Sequence, residues 1–192
     1  AAQDAVNAAA AAQADRTLAE AWQSRRAYPL AVTKGDGNLG VKGKNFEMLF
    51  SIAGAGPASL KVNGTEWLWR APRPAFWRAS TDNDRGCGFP LRAAAWMAAD
   101  VFVTYNGMKV LEAGPDCVKV QFQFGIPTVP GASAELVYTV EAQGALRVDA
   151  VYHGVAGAPE LPCFGVKFET FGPVTRTVWT GLSGETYPDR YK

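Results

Sequence analysis

Val118-Lys119-Val120-Gln121-Phe122-Gln123-Phe124 alternates apolar and polar residues without a break. Side chains of an extended strand point to opposite faces in turn. A period of two therefore puts Val118, Val120, Phe122 and Phe124 on a buried face and leaves Lys119, Gln121 and Gln123 wet. Upstream, Phe46, Met48, Phe50 and Ile52 alternate with Glu47, Leu49 and Ser51. Further strands are expected over Ala134–Glu141 and Leu146–Tyr152, around Gln143-Gly144, and over Val166–Thr170 and Val174–Thr180. Asn63-Gly64 lies between Leu60–Val62 and Thr65–Trp69, and Asn106-Gly107 between Val101–Tyr105 and Met108–Glu112. Both dipeptides are read as hairpin turns, because the tight two-residue turn needs positive φ at both central positions. Short strands with turn signals on either side predict an all-β fold, an antiparallel β-sandwich. Arg92–Asp100, RAAAWMAAD, is read as a short helix within it.

Outward from the strands the composition changes. Residues 2–27 are alanine-rich, lack glycine and proline, and read as a helix whose large apolar anchors are Val6, Leu18 and Trp22. Gly35–Gly43, GDGNLGVKG, is a glycine-rich connector without the spacing of a phosphate loop. The chain is thus divided into a helical linker or docking segment, 1–34, and a β-sandwich domain, 35–192. A net charge of +1 over 192 residues gives no electrostatic case for nucleic acid or a membrane surface as partner. No run approaches the ~20 apolar residues of a membrane span. Cys87, Cys117 and Cys163 are odd in number and widely spaced, which predicts reduced, mostly buried thiols and a cytoplasmic location.

Pro72–Gly86, PRPAFWRASTDNDRG, stands apart from the strands. Its prolines predict an extended approach. Phe76 and Trp77 supply an apolar anchor beside the cation of Arg78. Asp82, Asn83 and Asp84 are turn formers that can bond nearby amides, with Arg78 or Arg85 as ion partners. Gly86 and Gly88 end the run with backbone freedom.

This segment resembles the one that opens the C-terminal domain of large bacterial β-galactosidases, a domain equivalent to the small chain of two-chain versions. Trp179-Thr180-Gly181-Leu182 followed by Glu185-Thr186-Tyr187-Pro188-Asp189-Arg190 resembles the family's glycine-rich run leading to Glu-x-Tyr-Pro-Asp-Arg. Leu161-Pro162 and Phe164-Gly165 resemble its Leu-Pro-x-x-Gly motif. Order and spacing agree from about Gly43 to Arg190. The resemblance implies a galactose-mutarotase-like supersandwich. It also implies truncation, since the family's domain continues beyond Tyr-Pro-Asp-Arg and this sequence ends two residues after Arg190. By the same resemblance, the family's continuation carries the aromatic residue that stacks on the sugar.

Chemistry is expected elsewhere. A retaining glycosidase needs two carboxyl groups roughly 5–5.5 Å apart, and the resemblance places both in a separate α/β-barrel. The family's Mg and Na are likewise bound elsewhere, so no cofactor or metal is expected in this chain. His153 is the only histidine and sits at a strand end, with no Gly-x-Ser-x-Gly elbow to serve. Site completion remains. By resemblance Gly86 starts a mobile loop beside the sugar pocket, with Gly88 a second hinge and Arg78, Asp82, Asn83 and Asp84 fixing its base; the alternative is a rigid turn. Trp77, Glu185, Tyr187, Asp189 and Arg190 are candidate sugar or interface contacts, although a residue is deleted just before Glu185. The expected function is a non-catalytic part of β-galactosidase that completes the pocket of a barrel-bearing chain acting on β-galactosides such as lactose, within an oligomer. The alternatives are a carbohydrate-binding module using Trp67, Trp69, Trp77, Trp96 and Trp179, or an assembly domain without sugar contact.

Overall fold

The computed structural model describes residues 27–172. The helix expected over 2–27, apart from its last residue, the strand expected over 174–180, and Trp179, Glu185, Tyr187, Asp189 and Arg190 lie outside the described residues.

Eleven strands are described, all paired antiparallel. β1 (Ala31–Lys34), β2 (Asn38–Lys42), β3 (Phe46–Ser51), β4 (Gly56–Val62) and β5 (Thr65–Glu66) form a five-stranded sheet in that order. β7 (Thr104–Ala113), β8 (Cys117–Gly125), β9 (Ser133–Glu141) and β10 (Leu146–His153) form a four-stranded sheet in the order β10-β9-β8-β7. β6 (Leu68–Ala75) pairs with β11 (Gly165–Thr170) as a two-stranded ribbon. Gly35, read as the head of the β domain, falls in the turn after β1. Upstream of it, the amides of Tyr28 and Leu30 already donate to the carbonyls of Ala142 and Pro115.

The period-two reading of β8 is realised on its buried face, while of the outward residues Gln123 is exposed and Lys119 and Gln121 are half-buried. Val118, Val120, Phe122 and Phe124 are buried, and β9 opposes them with buried Ala134, Leu136, Tyr138 and Val140. The five-stranded sheet answers with Leu39, Val41, Met48 and Phe50. The Phe50 ring lies 6.2 Å from Phe122 and 5.9 Å from Tyr138, so inward residues of both sheets interdigitate as in a sandwich. Ile52 is instead exposed, because it follows the last residue of β3 and enters a turn. The Tyr138 hydroxyl is buried with no hydrogen-bond partner among the described residues, and burial pushes its pKa up.

The two Asn-Gly dipeptides part company. Asn63 and Gly64 have φ of 51° and 80°, the tight turn that joins β4 to β5. Asn106-Gly107 is no turn. It lies within β7, where Tyr105 opposes Phe124 and Gly107 opposes Gln123, so Asn106 is the extra residue of a bulge. Both flanks pair with the same neighbour, β8, and that ladder overrides the local turn preference. Val101, expected to open a strand, belongs to a helix instead.

The helices cluster after β6. α1 (Asp82–Gly86), α2 (Phe89–Arg92) and α3 (Ala94–Phe102) replace the single helix expected over Arg92–Asp100. Gly88 separates the first two at φ 67°, a left-handed conformation that glycine takes without a Cβ clash. Pro90 fits the first turn of α2, where its missing N–H would have no partner anyway. The cysteines depart from expectation: Cys87 is exposed at the end of α1, and Cys117 and Cys163 are only half-buried, all three free.

Candidate functional site

Residues 76–88 are stapled to the sandwich by an aromatic ring and a guanidinium. Phe76 is fully buried. Its ring stands 5.8 Å from Trp96 of α3, 5.8 Å from Phe164 and 6.3 Å from Tyr152 of β10. The Trp96 indole N–H donates to the Pro159 carbonyl at 3.0 Å, which ties the helix to the loop that leads into β11. The Phe76 amide donates to Asp100 Oδ1 at 2.6 Å. Sequence reasoning did not single out Asp100; its only local signal is a lone carboxylate in an otherwise apolar helix.

Arg78 makes the second tie. Its Nε donates to the Pro162 carbonyl at 3.2 Å, across 84 residues of sequence. Its Nη1 and Nη2 donate to Asp84 Oδ2 and Oδ1 at 2.5 and 3.2 Å, a bidentate pair. Asp84 also accepts the Thr81 amide at 2.8 Å, while Thr81 Oγ1 accepts the Asp84 amide at 3.2 Å. These reciprocal bonds form a capping box that starts α1, and so the expected turn is a helical one. The Arg78 guanidinium and then the Thr81 amide hold the Asp84 carboxyl well below the usual carboxylate range. Asp82 pairs with Arg85 on the solvent side.

These bonds place the sequence-derived residues in two groups. Arg78 and Asp84 form the base, with Trp77 half-buried against the core. Asp82, Asn83, Arg85, Gly86 and Cys87 face solvent. Gly86 lies in α1, outside the left-handed region, with nothing within 4 Å of where a Cβ would stand. The left-handed glycine of this segment is Gly88. Trp96, one of the proposed sugar platforms, is fully buried and cannot serve as one; Trp67 and Trp69 are exposed.

Other candidate chemistry is bound up in local contacts. His153 Nε2 stands 3.4 Å from Glu135 Oε1 on the solvent face of the four-stranded sheet. Burial and then the charge of Asp100 push the Cys163 thiol up, so it stays protonated rather than nucleophilic. Among the described residues no group of three or more His, Cys, Asp or Glu is placed to hold a metal ion. Nor, among them, is any helix long and apolar enough to cross a membrane. Glu66, also unmarked by sequence reasoning, gathers the Ser59 hydroxyl and the amides of Leu60, Trp67 and Leu68. Burial alone would raise its pKa, but those donors outweigh it and hold the carboxyl low. It fixes the corner between β4 and β6.

Comparison with known proteins connects this architecture to one family. A family model described as beta galactosidase small chain matches residues 42–192. The beta-galactosidase small subunit of Latilactobacillus sakei is 44% identical over 180 residues, covering 84% of this chain and 57% of that protein. The beta-galactosidases of Clostridium acetobutylicum and Lactobacillus delbrueckii subsp. bulgaricus are 35% and 36% identical, covering 84% and 91% of this chain but 18% of each of those proteins. The chain therefore spans little more than half of the first relative and under a fifth of the other two.

Proposed function

The chain belongs to the β-galactosidase small-chain family, and from that premise we propose that it lends a non-catalytic wall to the galactoside pocket of a barrel-bearing catalytic chain. Residues 76–88 are the segment that reaches the sugar. One observation carries the reading: this stretch is clamped on its inner side by Phe76 and Arg78, yet presents Asp82, Asn83, Arg85 and Gly86 outward. Such an arrangement costs conformational entropy that a free surface loop has no need to lose. A pre-ordered loop can exclude water and position a substrate without moving protons. The carboxylates of the segment support a positioning role rather than acid–base work, since Asp84 is spent on Arg78 and Asp82 on Arg85. The substrate class is a β-D-galactoside, lactose included.

The experiment mixes this chain with the large subunit that partners the Latilactobacillus sakei small subunit. Hydrolysis of a chromogenic β-galactoside should appear only in the mixture. Turnover by the purified chain alone would overturn the reading. A second reading rests on exposed Trp67 and Trp69, which could stack on sugar as a binding module. Quenching of tryptophan fluorescence by galactose in the isolated chain would favour it.

A further inference from the structure

α3 has the sequence AAWMAADVF and is apolar except for one residue. Its inner face buries Trp96 and Ala99. Its one charged residue, Asp100, is turned to the Phe76 amide. On the opposite side Met97, Val101 and Phe102 are 53, 70 and 62% exposed, and Leu91 of α2 is 85% exposed. Ala94, Met97, Ala98 and Val101 follow helical spacing, so they lie on one stripe in which two alanines leave room for close approach. A helix apolar all round is normally a buried helix, and a contiguous exposed apolar face marks an interaction site.

We propose that this outer face of α2 and α3 is where the catalytic β-galactosidase chain seats; the inference rests on the small-chain reading above. Three observations select that occupant. The related chain in Latilactobacillus sakei is by name a subunit, whereas in Clostridium acetobutylicum the matching region is 18% of one long polypeptide. A domain that occurs both detached and joined must offer a surface that the remainder covers. The stripe carries no lysine or glutamate, so its occupant is apolar there, while Asp82, Arg85 and Arg92 at the loop end supply a polar rim. Finally, α3 is joined to residues 76–88 through Gly88 and α2, so a partner resting on it has the candidate loop at its margin.

The test uses Met97→Cys in a Cys87→Ser background and reads maleimide labelling at residue 97 by peptide mass, because Cys117 and Cys163 are also free. In the isolated chain the thiol should label fast, at a rate independent of protein concentration. In the complex with the Latilactobacillus sakei large subunit it should label about tenfold more slowly or worse, as a core interface position would. Phe168→Cys, on the separate exposed apolar face of β11, should keep its rate. Val101→Glu should leave the isolated chain's Tm within about 2 °C and weaken assembly about tenfold or more. If an active complex forms while Met97→Cys stays reactive, or protection appears at Phe168→Cys instead, this inference is overturned and the small-chain reading stands. Slow labelling in the isolated chain that speeds up on dilution would assign the face to a second copy and overturn it as well. If no complex forms and no hydrolysis appears, the small-chain reading itself fails.

Discussion

Strand β9 buries Leu136, Tyr138 and Val140 between partners on both sides, whereas residues 76–88 are tied down mainly by one ring and one guanidinium. The two regions have different tolerance to change. Loss of one apolar contact in the sheet leaves the backbone of β9 paired on both sides, although the close-packed core still feels the missing volume. Loss of one tie in the anchored segment has no ladder to fall back on. Ordering there depends on few contacts, and those of Phe76 and of Arg78 with Pro162 reach far along the chain.

Phe76→Ala tests that contrast most severely. Removing a fully buried ring with three aromatic neighbours should cost about 3–5 kcal/mol in chemical denaturation. A cost near that of an exposed substitution would erase the distinction between the regions. On the sheet side, Tyr138→Phe removes a buried hydroxyl that has no partner among the described residues. The fold should lose nothing and gain about 1 kcal/mol, since an unsatisfied buried polar group is a net cost; clear destabilisation would reveal a hidden partner.

Asp84→Asn sharpens the comparison through pH. The Asp84 carboxyl is held below its unfolded value by Arg78 and the Thr81 amide. Its contribution is therefore complete above the unfolded aspartate range, about pH 4, and is lost as pH falls toward the lowered folded value. At pH 7 the variant should speed hydrogen exchange at the Arg85 and Cys87 amides by about tenfold, what one charged hydrogen bond is worth. That difference should shrink below pH 4, while exchange in β8 and β9 stays unchanged. A pH-independent difference would mean that the charge is not what holds the loop. The smallest effect is expected at Gly86→Ala: with open space for a Cβ and no left-handed φ, stability should stay level or rise by about 0.4–1 kcal/mol. Slower galactoside turnover in the assembled enzyme, despite that stability, would identify Gly86 as a hinge; unchanged turnover would make it part of a rigid turn.

The same contrast decides how much could be read in advance. β8 was legible because its signal is local: seven alternating residues specify a strand and its buried face. Asn63-Gly64 was legible for the same reason. Asn106-Gly107 carries the same local signal, yet strand pairing with β8 on both sides of it wins. The ion pairs of Asp82 and Asp84 were legible in kind, because their partners lie within six residues. The Thr81–Asp84 spacing is that of a capping box, a signal as local as the ion pairs and one that turn-forming residues share. The bond from Arg78 to Pro162 leaves no trace in spacing or composition, and the resemblance marked both motifs without saying that they touch. Asp100 and Glu66 escaped notice for a related reason, since each is a lone acid whose donors lie mostly on other elements.

The pairing of β6 with β11 has a kinetic consequence. Leu68 opposes Thr170 and Ala75 opposes Gly165, so the ribbon closes a long excursion of the polypeptide that includes the helices and all of the four-stranded sheet. Closure entropy must be met before that zipper returns any free energy, so the ribbon should form after the local hairpins of β7 to β10. Pulse-labelling during refolding should find β8 and β9 amides protected first and those of β11 last, with the reverse order excluding the scheme. Late closure would make the neck of this excursion the step that commits the chain to its native connectivity.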